Sequence, residues 1–101
     1  MRTVEVLGFS GCPNVVPTVE LVWAVARELG VTIEVRQIEV DDAEVAAQLQ
    51  FPGSPTVRVD GVDIHPLGPL RAGYAMTCRT YGDSGVPTRD SIVSALAEVL
   101  P

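Results

Sequence analysis

The first forty residues change character twice, and that alternation limits the fold more than any other feature of the chain. Residues 3–9 (TVEVLGF) are rich in β-formers and read as a buried strand. The run 10–14 (SGCPN) breaks it. A helical stretch follows to Leu29 and is closed by Gly30, with Val15, Val19, Val22, Ala26 and Leu29 at helical spacing and expected to face the sheet. Residues 32–40 (TIEVRQIEV) then alternate as a second strand. Pro17 sets the helix start, because proline is harmless only in the first turn, where its missing N–H has no intrahelical partner. An N-cap at Asn14 places Pro17 in that turn, whereas a start at Pro13 would kink the helix.

Asp41 or Asp42 caps a short helix through about Gln50, with Val45 and Leu49 as its clearest core positions. Residues 51–55 (FPGSP) read as a loop and 56–59 (TVRV) as a third strand. Asp60-Gly61 is a hairpin turn signal, with 62–64 (VDI) returning. Within residues 65–87, the run 75–81 (AMTCRTY) reads as a short strand or an ordered flap and 82–85 (GDSG) as a turn. Thr88 caps a last amphipathic helix carrying Ile92, Leu96 and Val99 on one face. The order β-α-β-α-β-β-α predicts an α/β domain, a central four-stranded mixed sheet flanked by helices.

At 101 residues the chain is one domain's length, and 47% hydrophobic with 20% charged residues is ordinary for a globular protein. The net charge is −6, and every one of the seven cations is arginine. Without a basic cluster the chain is a poor nucleic-acid binder. No apolar run approaches the ~20 residues of a membrane span. The first residues carry no leader pattern, so a cytoplasmic protein is expected. In a reducing compartment two cysteines far apart, Cys12 and Cys78, point to chemistry more than to a structural bridge. Two thiols alone make a poor zinc site.

Cys12 lies between a strand end and a helix N-terminus, where helix-end amides favour a thiolate, the form that attacks disulfides and binds metals. A buried free cysteine can equally be a small core residue. In the 75–81 reading, Tyr74, Met76 and Cys78 share one face, which is either core or a cover over Cys12; a disulfide between the two cysteines requires Cα atoms within about 7 Å. Arg79 alternates to the opposite face and faces solvent unless it reaches the site, where it would stabilise a thiolate or bind an anionic group. His65 reads as a surface residue. Asp41, Asp42 and Glu44 read as helix-start charges rather than a metal site, and Trp23 is expected to pack along the first helix.

The chain resembles the thioredoxin/glutaredoxin superfamily. Residues 10–15 (SGCPNV) follow the first strand, where that family carries Cys-x-x-Cys, and 53–56 (GSPT) precede the third strand, where it carries a cis-proline. More narrowly, it resembles small bacterial thioredoxin-like proteins with Gly-Cys-Pro-Asn (11–14) and Cys-Arg-x-Tyr (78–81), often labelled alkylmercury-lyase-like. The resemblance implies a cis Pro55, with Ser54 and Pro55 forming one wall of a site that also takes in Pro13 and Asn14. It implies a disulfide or thiol of a protein or small molecule as partner, and no cofactor. The sequence departs from the motif at Val15, which stands where the second motif cysteine would be and rules out a local dithiol cycle. Three functions are thus open. Cys12 could run thiol-disulfide redox chemistry, resolved by Cys78 or an external thiol. Cys12 and Cys78 could bind a soft metal such as mercury or copper(I). The domain could also be a non-catalytic interaction module.

Overall fold

A computed structural model describes residues 2–51, 53–64 and 85–97. At its centre is β1 (Arg2–Gly8), whose alternating side chains divide the interior into two layers. The elements that follow are α1 (Val15–Leu29), β2 (Ile33–Glu39), α2 (Ala43–Gln48), β3 (Thr56–Val59), β4 (Val62–Asp63) and α3 (Arg89–Ala97). The described strands form one mixed sheet in the order β2-β1-β3-β4. β1 runs parallel to β2 and antiparallel to β3, which is antiparallel to β4.

Val4 and Val6 of β1 face one layer, where Ile33, Val57 and Val59 pack with Val22, Val25 and Ala26 of α1 and Ile92 and Leu96 of α3. Leu7 faces the other layer and packs with Val40, Ala46 and Phe51. Helices α1 and α3 therefore cover one face and α2 the other, and an ion pair between Arg89 and Glu28 ties α3 to α1. No helix among the described residues is long and apolar enough to cross a membrane.

The helix ends explain where the core differs from the sequence expectation. Leu29 has the right helical angle but is 38% exposed, while Thr18 and Val25 are buried instead. The reason is the left-handed cap at Gly30 (φ 67): Val31 N donates to Ala26 O and Gly30 N to Arg27 O, and this reversal packs Val31 against the core in place of Leu29. The same cap ends α2 without a glycine. Gln50 takes φ 53, Phe51 N donates to Ala46 O (2.8 Å), and Gln50 N donates to Ala47 O (3.2 Å). Phe51, read as loop, is thereby fully buried, and Val45 and Leu49 lie only half-buried beside the buried Ala46. Arg58 secures this corner: its Nη2 donates to Leu49 O (2.8 Å) and Gln50 O (2.9 Å).

The N-termini of α2 and α3 carry side-chain caps. Asp42 Oδ1 accepts from Val45 N (2.8 Å), and Thr88 Oγ1 accepts from Ser91 N (3.2 Å). Val99 lies outside the described residues. At the hairpin, Asp60 and Gly61 both have positive φ (51 and 86), as a type I′ turn requires. The returning strand ends at Asp63, one residue early, although Ile64 N still donates to Val57 O (3.0 Å). Asp60 also locks the turn to β1. Its Oδ1 accepts from Thr3 N (3.0 Å) and its Oδ2 from Arg2 Nη1 (3.0 Å), and these bonds hold its carboxyl below the usual carboxylate range, the Thr3 N–H contributing most.

Candidate functional site

The chain leaves β1 through two successive turns, and Cys12 joins them. Cys12 N donates to Phe9 O (3.2 Å), and Cys12 O accepts from Val15 N (3.5 Å). Gly11, the third residue of the first turn, has φ 84, and a Cβ there would meet nothing within 4 Å, so backbone conformation rather than crowding calls for glycine. Asn14 is the N-cap and Pro17 falls within the first turn, as expected. The Asn14 side chain, however, makes no capping bond. The backbone carbonyl of Asn14 accepts from Thr18 N (3.2 Å) and from the buried Thr18 Oγ1 (2.6 Å), while the side-chain amide lies so close to Gly85 that a Cβ on Gly85 would be 2.8 Å from Asn14 Cγ.

Cys12 is a free thiol, 8% exposed. It opens on a cleft of about 300 Å³ whose lining takes in Gly8, Val15 and, from β2, Gln37, Ile38 and Glu39. Two strands meet at Gly8. Its carbonyl accepts from Val40 N (2.8 Å), and its parallel partner is Glu39. On the other side Leu7 pairs with Thr56, so the antiparallel register carries Gly8 opposite Pro55.

The Ser54–Pro55 peptide is cis, and both residues are buried. Ser54 Oγ lies 2.9 Å from where a Gly8 Cβ would be; Val15 Cγ2 is closer still. Among the described residues Ser54 Oγ has no hydrogen-bond partner. Thus the structure brings Cys12, Val15 and Ser54 to Gly8, with Asn14 buttressed from Gly85 and Pro13 exposed. Ser54 reaches Gly8 in the wall of the cleft, but neither Ser54 nor Pro55 lines the cleft itself. Cys78, Arg79 and His65 lie outside the described residues. Trp23, expected to pack along α1, is 42% exposed beside Glu20, Ala24 and Arg27. Asp42 is a helix cap, in keeping with the helix-start reading, and no group of three His, Cys, Asp or Glu suited to a metal occurs among the described residues.

Two site residues were not singled out from sequence. Gly8 carried a signal, since a glycine among β-formers marks close approach by another segment. Glu39 carried none: only the parallel register places it beside residue 8. Comparison with known proteins returns no family model, no curated protein and no solved structure that matches this chain.

Proposed function

We propose that this chain is a thioredoxin-like thiol protein that exchanges disulfides through Cys12. The observation that carries this reading is the placement of a free thiol at the turn-to-helix junction, opening on a cleft that the end of β2 also lines. The described α/β order and the mixed sheet support the thioredoxin-like part of the reading.

In the reaction the Cys12 sulfur, having lost its proton to solvent, attacks one sulfur of a substrate disulfide. A Cys12–substrate S–S bond forms as the substrate's own S–S bond breaks, and the departing half leaves as a thiolate that takes up a proton. A second thiol, Cys78 or an external one, then attacks Cys12. The bound half leaves as a thiol, and the resolving sulfur ends in the new disulfide. The substrate is reduced by two electrons, and the Cys12 pair is oxidised by two. Val15 at the second motif position means that the resolving thiol comes from elsewhere.

The test is treatment of the reduced chain with 2-hydroxyethyl disulfide, followed by mass spectrometry that locates the adduct, in the parent and in the Cys12→Ser and Cys78→Ser variants. A mixed disulfide on Cys12 that persists longer in Cys78→Ser supports exchange with Cys78 resolving; equal persistence assigns resolution to an external thiol. No adduct on Cys12 in the folded chain overturns the proposal and leaves the interaction-module reading.

A further inference from the structure

Among the described residues, the walls of the Cys12 cleft have one sign of charge. Apart from the thiol they are backbone, apolar side chains, the neutral Ser10 and Gln37, and the exposed carboxylate Glu39. No arginine among the described residues lines the cleft. Arg36, the nearest in sequence, is held by Glu34 at 3.4 Å. The first turn of α1 carries no acidic residue, and Glu39 is the one acidic side chain among the described residues lining the cleft.

We propose that the Cys12 cleft selects disulfides whose sulfur-bearing group is cationic or neutral over those whose group is anionic, and that Glu39 is the residue that sets this preference. This rests on the thiol-exchange reading above and names its substrate class. Glu39 acts on the approaching group and takes no part in bond exchange. At a separation of about 8 Å in water, reversing the charge of the approaching group changes the rate about fivefold. Because Glu39 is exposed, salt screens the effect within about 10 Å at 0.1 M.

The experiment uses the full reduced chain and three probes of similar size: cystamine (cationic), 2-hydroxyethyl disulfide (neutral) and 3,3′-dithiodipropionate (anionic). Formation of the Cys12 mixed disulfide is timed by mass spectrometry, and each rate is divided by that of a short unstructured cysteine peptide. The normalised cystamine-to-dithiodipropionate ratio should be about five or more at low salt. It should fall toward one in Glu39→Gln and in 1 M salt, and drop below one in Glu39→Lys. Glu28→Gln, which removes the same charge from the far end of α1, about 20 Å away by helix rise, should leave the ratio high. A ratio below one in the parent overturns the inference and points to a cation at the cleft, as Arg79 would supply. A high ratio that falls equally in Glu39→Gln and Glu28→Gln also overturns it, assigning the preference to the overall charge of −6. Reaction of all three probes at one rate sinks this inference and leaves thiol exchange standing; no reaction with any probe overturns both.

Discussion

Replacing Gly8 by alanine tests whether the site is built on close approach. Gly8 does not have the positive φ that favours glycine, so its strand conformation suits alanine. On backbone grounds Gly8→Ala should therefore stabilise by about 0.4–1 kcal/mol through the unfolded chain. The added Cβ would sit 2.9 Å from Ser54 Oγ and deeper still in Val15 Cγ2, neither of which is a long flexible side chain. Overpacking of this kind costs about 1–3 kcal/mol. The net expectation is a loss of about 1–2 kcal/mol, and each kcal/mol corresponds to about 4–8 °C in Tm for a domain of this size. Urea unfolding followed by circular dichroism measures it. Val15→Ala removes the offending methyl, so a double-mutant cycle should show a favourable coupling of about 1 kcal/mol between the two alanines. Displacing Val15 also moves the first turn of α1, so Cys12 alkylation should change in Gly8→Ala and recover in the double variant. A Gly8→Ala protein as stable as the parent, or a cycle with no coupling, would refute the reasoning.

Three further perturbations follow from single contacts. Gln50→Gly should stabilise by about 0.5–1 kcal/mol, because relief of a left-handed φ at a non-glycine residue (about 1–2 kcal/mol) exceeds the added chain entropy (about 0.5–1 kcal/mol); chemical denaturation showing a loss would contradict the cap described at Phe51. Ser54→Ala removes a buried hydroxyl without a partner among the described residues and should be neutral or stabilising by about 1 kcal/mol, so a measured loss of that size would show that the hydroxyl is bonded. Asp60 has a lowered folded-state pKa, so its contribution is complete above its unfolded value of about 3.9 and is lost as pH falls through the lower folded value; Asp60→Asn should therefore flatten the acid limb of a stability–pH curve, and an unchanged limb would exclude the Thr3 and Arg2 bonds as its source.

What could be read from the chain follows from how local each cause is. Alternation in residues 56–59 and the Asp60-Gly61 pair act within a few residues, and β3 and its turn lie where the pattern puts them. Pro17 located the N-cap of α1 because a proline tolerates so few helical positions. Phe51 escaped because its burial depends on a left-handed cap that glutamine fills, so the sequence carries no glycine to announce it. Leu29 was misplaced because helical periodicity continues to the last residue of α1, whereas the reversal at Gly30 moves the core contact on to Val31. The Asn14 amide lies against Gly85, 71 positions away, where no local pattern could have placed it.

The candidate site divides along the same line. Its thiol is local: strand, two turns and helix within residues 8–15 fix Cys12 at the end of α1, and all of that is legible. Its surroundings are set by register. Parallel pairing of β1 with β2 brings Glu39 to Gly8, antiparallel pairing with β3 brings the Ser54–Pro55 corner to the same glycine, and neither pairing can be read from the motif. Val15 links the two levels. In sequence it removes the second thiol of a local pair; in the fold its methyl fills the space that Gly8 leaves open above Ser54. The residue that excludes a local dithiol is thus also part of the cleft lining, alongside the end of β2. Glu39 is the one acidic side chain among the described residues that line the cleft, so the proposed charge preference turns on a residue twenty-seven positions from Cys12.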